Sequence, residues 1–250
     1  IAGSMMVLVY IYAIRRDYPV YVRSTVPEVG RAILNATLPL MTPLIIVGGI
    51  VGGFFTPTEA SVVAVLYALA IGLFVYRTFT LQTLPRVLYN SARFAAISLF
   101  CIGTASAFGW ILAYYQIPKS LVAVMASWGS GPIETGLLIA LAFLIVGMFI
   151  DAIPAIIILG TVLFPVAEAA GMHPIHFAII GVVSLAFGLV TPPYGLCLLI
   201  AASIGEIKLV HAIKDVCIIL VPMLGVLLFV ILFPEAILAL PRWIMPKFVG

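Results

Sequence analysis

Asp151 lies in the middle of a strongly apolar stretch, Gly147-Met148-Phe149-Ile150-Asp151-Ala152-Ile153-Pro154. An ionised carboxylate at the centre of a membrane segment costs at least about 2.5–3.5 kcal/mol on insertion scales, so the residue calls for a compensating role. Two roles fit: direct contact with an ion or substrate, or a cap and tip contact for a helix that begins near Pro154. A second place of interest is Gly188-Leu189-Val190-Thr191-Pro192-Pro193-Tyr194-Gly195. Consecutive prolines leave carbonyls without helical donors, and oxygens at such a break coordinate sodium in transporters. The half-helix after the break points its positive N-terminus at the same spot, which suits an anionic group. A proline kink that holds no ligand is the plain alternative.

Other sequence features carry weaker chemistry. Gly103-Thr104-Ala105-Ser106-Ala107 is a run of small residues within an apolar span. Its hydroxyls, on Thr104 and Ser106, either line a site or lie where small side chains let helices pack closely. In Gly52-Gly53-Phe54-Phe55-Thr56-Pro57-Thr58-Glu59-Ala60, Thr56 as N-cap, Pro57 at N1 and Glu59 at N3 spell a capping box that starts the next span. His173 and His176 stand three apart around Pro174; without a third ligand nearby they read as a turn and helix start rather than a metal site. Cys101, Cys197 and Cys217 show no paired spacing and read as free buried thiols. No Ser-His-Asp set, phosphate-cradling loop or H-E-x-x-H is present.

These residues need a scaffold, and composition says which kind. Of 250 residues, 64% are hydrophobic and 8% charged, against about 25% charged in a soluble domain. So much apolar surface faces lipid or neighbouring helices, which makes the chain a polytopic all-α membrane protein. A net charge of +3 with no dense basic run excludes a nucleic-acid role. Ile1–Ile14 is too short to span alone and is not built like a signal peptide, so the chain reads as part of a longer polypeptide. A polar amphipathic stretch follows from Arg23 to Asn35. Spans are expected over Leu38–Phe55, broken by glycines, over Pro57–Tyr76, over Phe94–Tyr115 and over Val216–Leu240. Thr135–Ala170 and Pro174–Ser203 are long apolar segments interrupted at their middles. Such breaks survive in a bilayer only when buried in protein or lining a cavity, and paired interrupted segments mark transporter binding sites. Arg77, Arg86 and Arg93 mark a cytoplasmic joint, and the count of crossings then leaves the C-terminus outside.

Four runs in order, GGFFTPTEA (Gly52–Ala60), TASAFGWIL (Thr104–Leu112), VGMFID (Val146–Asp151) and HFAIIGVVSLAFGLVTPPYGLCL (His176–Leu198), with PEAILALP (Pro234–Pro241), resemble the large membrane subunit of tripartite ATP-independent periplasmic (TRAP) transporters. The resemblance implies an elevator built from two inverted repeats, of which this chain resembles the end of the first and all of the second. It implies scaffold helices over 1–93, transport-domain elements over 94–205 (span 94–115, re-entrant hairpin 135–170, broken helix 174–203) and a connector with a final scaffold span over 206–250. Sodium is then the coupling ion, with no other cofactor. The binding residues implied are Gly147, Asp151, Gly188, Thr191, Pro192, Pro193, Thr104 and Ser106, with Asp151, Gly188 and Thr191 at the ion. A periplasmic substrate-binding protein and a small four-helix membrane subunit are the implied partners, and the implied substrate is a small organic anion such as a C4-dicarboxylate or sialic acid. The implied location is the bacterial inner membrane. A membrane-embedded enzyme lacks a base or metal beside Asp151, and a non-transporting scaffold subunit gains nothing from costly breaks.

Overall fold

The computed structural model describes residues 1–16, 25–77, 80, 82–127 and 131–244. Every regular element among the described residues is helical. In order these are α1 (Ala2–Arg15), α2 (Val26–Val51), α3 (Pro57–Ala70) running into a π-helical turn (Ile71–Val75), α4 (Leu84–Tyr114), α5 (Ile117–Ser127), α6 (Pro132–Phe149), α7 (Ala152–Ala169), α8 (Pro174–Gly188), α9 (Leu196–Ile204), α10 (Leu209–Leu232) and α11 (Pro234–Ile244). Six of the described helices, α2, α3 with its π turn, α4, α6, α7 and α10 from Ala212, are long and apolar enough to cross a membrane. The protein is thus a polytopic all-α membrane protein. The chain divides into two compact units, one of Ile1–Asp17 with Ala96–Gly250 and the other of Tyr18–Ala95.

In the Tyr18–Ala95 unit, the sequence separates an amphipathic stretch ending at Asn35 from an apolar run beginning at Leu38. Arg23 and Ser24 lie outside the described residues; Val26–Val51 form one continuous helix, α2, that passes through Pro39, Pro43 and the Gly48-Gly49 pair. Pro39 has no N–H for the Asn35 carbonyl four residues back. The Tyr76 hydroxyl donates to that carbonyl instead, at 3.2 Å. The glycines act one turn later: α2 ends at Gly52, and Gly53 turns the chain with φ +72°. The capping box then starts α3 as its sequence spells. The Thr56 hydroxyl accepts from the Glu59 N–H at 3.3 Å, and the Glu59 carboxylate accepts from the Thr56 N–H at 2.8 Å. Helix α4 begins at Leu84 rather than near Phe94; Pro85 sits in its first turn, where proline is tolerated, and no breaker follows before the apolar span.

The other unit is organised on α6 and α8, which make its most extensive helix pair. Ile139, Phe143, Ala155, Ile180, Leu185 and Phe187 form its core with Leu227, Val230 and Ile231 of α10. At one rim Asp215 on α10 accepts from Arg16 at 2.7 Å and from the Tyr12 hydroxyl at 2.9 Å, tying α1 to α10. The final span stops at Leu232, short of the expected Leu240, because Pro234 cannot continue the backbone ladder. Pro234 also leaves the Val230 carbonyl without its helical donor. The buried His176 ring on α8 supplies one, its Nε2–H donating to that oxygen at 2.8 Å. His173 meanwhile caps α8, its Nδ1 accepting from the Ile175 N–H at 3.2 Å, with Pro174 at N1. The two histidines therefore serve α8 itself and its packing. His176→Ala strands a buried carbonyl, at a cost of about 1–3 kcal/mol. A lowered thermal midpoint of the purified protein checks this; an unchanged midpoint contradicts the pairing.

Candidate functional site

The long segment around Asp151 is two helices of 18 residues, α6 and α7, joined by Ile150 and Asp151 alone. Both joining residues are extended, with ψ 144° and 155°. Asp151 occupies the N-cap position of α7, yet its side chain accepts no hydrogen bond from the helix. It is exposed, and none of the described residues pairs with its carboxylate. Pro154 falls in the first turn of α7, where its missing N–H leaves no carbonyl orphaned. Since no cap bond is lost, Asp151→Ala is expected to change stability, followed through the thermal midpoint, by less than the roughly 1 kcal/mol typical of an N-cap. A larger drop would restore the capping role.

The second break follows α8. Residues 189–195 turn the chain, and α9 resumes at Leu196. Gly195 has φ +41°, and a Cβ there would lie 2.9 Å from the Thr191 carbonyl oxygen, so both conformation and space call for glycine. The Thr191 hydroxyl donates to the Phe187 carbonyl at 2.7 Å, and the Cys197 N–H donates to the Leu189 carbonyl at 3.0 Å, closing the turn. Among the described residues, no backbone N–H donates to the carbonyls of Val190, Thr191, Pro192 or Pro193. The two prolines withhold donors from the Gly188 and Leu189 carbonyls, which accept from the Thr191 and Cys197 N–H groups instead, so the unpaired oxygens are those of the turn itself.

The two breaks lie at the same end of the unit. A Cβ on Gly136 would sit 3.6 Å from Ile180, one on Gly181 would sit 3.1 Å from Phe143, and one on Gly147 would sit 3.0 Å from the Leu185 carbonyl oxygen. Partners therefore advance together along both helices, so α6 and α8 run parallel. They approach most closely where they end: a Cβ on Gly188 would lie 2.7 Å from the Leu144 carbonyl oxygen and 2.9 Å from the Gly147 Cα. Phe149 and Tyr194 meet just beyond, ring centroids 5.6 Å apart. Two helix C-termini, with partial negative charge, converge beside the N-termini of α7 and α9, which carry partial positive charge. Neither N-terminus has a side-chain cap hydrogen bond.

Gly147 and Gly188 thus meet at the crossing, Asp151 follows four residues after Gly147, and Thr191, Pro192 and Pro193 lie in the turn that follows Gly188. Thr104 and Ser106 do not join it. Both are exposed on α4, where the Thr104 hydroxyl donates back to the Phe100 and Cys101 carbonyls at 3.1 and 3.0 Å. The inward face of α4 carries Ala105 and Gly109, and Gly109 abuts Thr161, ten residues or about 15 Å along α7 from the tip. The close approach belongs to the small residues Ala105 and Gly109, not to the exposed hydroxyl-bearing residues on either side. The Phe149–Tyr194 pair went unread in the sequence; an aromatic residue immediately beside each break is the signal that would have found it. Among the described residues no group of three or more His, Cys, Asp or Glu gathers as a metal site would need.

Comparison with known proteins agrees with this architecture. A family model described as "Tripartite ATP-independent periplasmic transporter, DctM component" matches residues 1–236. The sialic acid TRAP transporter large permease protein SiaM of Vibrio cholerae is 36% identical over 239 residues, covering 96% of this chain and 56% of that protein. The C4-dicarboxylate TRAP transporter large permease protein DctM of Pseudomonas aeruginosa is 35% identical over 240 residues, 96% of this chain and 56% of the relative. The ectoine/5-hydroxyectoine TRAP transporter large permease protein UehC of Ruegeria pomeroyi is 32% identical over 231 residues, 92% of this chain and 54% of the relative. The chain therefore spans a little over half the length of these relatives.

Proposed function

From the membership of this chain in the DctM component family of tripartite ATP-independent periplasmic transporters, a family of multi-pass bacterial inner-membrane transporters and not of enzymes, we propose that it forms part of a permease subunit carrying a small organic anion inward on a sodium gradient. The single observation that carries the proposal is the convergence of both interrupted segments at the Gly147–Gly188 crossing. Sodium is a hard cation that takes oxygen ligands. The unpaired carbonyls after Gly188, the Thr191 hydroxyl and Asp151 supply such oxygens at the negative ends of α6 and α8. Asp151 places negative charge at the start of α7. The start of α9 has no side-chain cap, and apart from the Cys197 N–H, which closes the turn, its first N–H groups are left to offer to a substrate carboxylate.

In this reading α6 and α7 are a re-entrant hairpin, since a tip with a carboxylate and extended backbone is costly in lipid and tolerable in a protein-lined cavity. The hairpin and the broken α8–α9 segment move together as a transport domain, in the manner of an elevator, against a scaffold. A small four-helix membrane subunit braces that scaffold, and a periplasmic binding protein delivers the substrate. The names of the relatives differ in substrate while sharing the permease, which fits selection by the binding protein. Sialic acid and C4-dicarboxylates head the substrate proposal.

The test is reconstitution of the full-length subunit in liposomes with its small membrane partner and its binding protein. Labelled sialic acid and succinate are offered with and without an inward sodium gradient. Uptake of one of them that requires both sodium and the binding protein is expected. Uptake indifferent to either would overturn the mechanism.

A further inference from the structure

We infer that Phe149 and Tyr194 form an aromatic clasp that positions the 189–193 turn for its cation, and so sets the affinity of the ion site without touching the ion. The inference rests on the sodium reading above and adds two positioning residues to it. The turn is held at both ends against the same helix terminus. At its start, Gly188 lies against Gly147 and Leu144 of α6. At its end, the Tyr194 ring meets Phe149, the last residue of α6, with planes tilted by 52°. Phe149 in turn stands directly before the Ile150–Asp151 tip. The clasp therefore ties one break to the other through side chains, just as the glycine pair ties them through backbone.

Neither ring holds the core. Phe149 is 56% and Tyr194 58% exposed, and neither belongs to the buried cluster around Phe143 and Leu185. Two large aromatic rings kept at the surface and in mutual contact, each beside a break, have a local task. A turn pinned at both ends presents its carbonyls already ordered, so the ion does not have to supply the ordering free energy. Removing one ring frees the far end of the turn. The cation must then order it, and binding weakens by roughly two- to tenfold, the range that an aromatic pair contributes. Only the ring matters, since the Tyr194 hydroxyl has no partner among the described residues.

The experiment measures sodium half-saturation and maximal uptake rate in the reconstituted full-length system. The variants are Tyr194→Ala, Phe149→Ala, the double substitution and Tyr194→Phe, each normalised to folded protein in the membrane. Each alanine variant is expected to raise the half-saturating sodium concentration roughly two- to tenfold. The double variant should do no worse than the poorer single, because the two rings act as one unit. Tyr194→Phe should match the unsubstituted protein. Unchanged half-saturation in Tyr194→Ala, or effects that multiply in the double variant, would overturn the clasp while leaving the sodium site intact. Absence of sodium stimulation in the unsubstituted protein would overturn the sodium reading itself, and the clasp with it.

Discussion

Gly188→Ala is expected to lower the thermal midpoint of the permease and to remove sodium-driven uptake at the same time. The added methyl would meet the Leu144 carbonyl oxygen at 2.7 Å and Gly147 backbone atoms at 2.9 Å. These are backbone atoms, so no side-chain rotation relieves the contact, and the two helices must separate. Overpacking of this kind costs about 1–3 kcal/mol, and more where the backbone has to shift. The displaced element is the point at which both breaks meet, so function fails with stability. Gly160→Ala on α7 is the matched control, because a Cβ there meets nothing within 4 Å; it should retain both midpoint and uptake. Unfolding curves in detergent and uptake in liposomes read the two effects. Wild-type behaviour of Gly188→Ala would mean that α6 and α8 do not cross as described.

Thr191→Val should do the opposite, sparing the fold and damaging the ion site. Valine keeps the shape of threonine and loses only the hydroxyl, which donates to the Phe187 carbonyl at 2.7 Å. That carbonyl also accepts from the Val190 N–H at 3.1 Å, so the substitution leaves no acceptor stranded. What disappears is an oxygen whose lone pairs face the cation in the proposed site. A polar contact to a charged group contributes about 1.5–3 kcal/mol, which corresponds to roughly tenfold or more in half-saturating sodium. Thr191→Ser, which restores the oxygen, should recover most of the loss. Equal half-saturation in Thr191→Val and the unsubstituted protein would remove Thr191 from the ligand set.

The two breaks were legible in the sequence because proline and glycine act locally. Asp151 with Pro154, and Thr191-Pro192-Pro193, announce an interruption whatever surrounds them, and the interruptions fall at 150–151 and 189–195. The Thr56–Glu59 capping box was legible for the same reason: its partners are three residues apart. What stayed hidden depends on residues distant along the chain. The stretch ending at Asn35 was read apart from the span beginning at Leu38, yet one helix runs through Pro39, with Tyr76, 41 residues after Asn35, serving the carbonyl that Pro39 leaves open. His176 read as part of a turn because its partner, Val230, is 54 residues away and becomes a free acceptor only through Pro234. The parallel crossing of α6 and α8 rests on the absence of side chains at Gly147 and Gly188, and nothing in either segment alone announces the other. Thr104 and Ser106 show the converse. Their residue types suit a site, but the helical face they occupy is set by Ala105 and Gly109, which pack inward.

The central claim is that the joined breaks hold sodium, and the most direct measurement is the thermal midpoint of the purified full-length subunit titrated with sodium against potassium. A ligand that binds the folded state raises its stability as its concentration passes the dissociation constant. The account predicts that sodium, and not potassium, raises the midpoint of the unsubstituted protein, and that Thr191→Val requires roughly tenfold more sodium for the same rise. Equal responses to the two cations, or the same sodium titration in Thr191→Val as in the unsubstituted protein, would contradict a sodium site at this crossing.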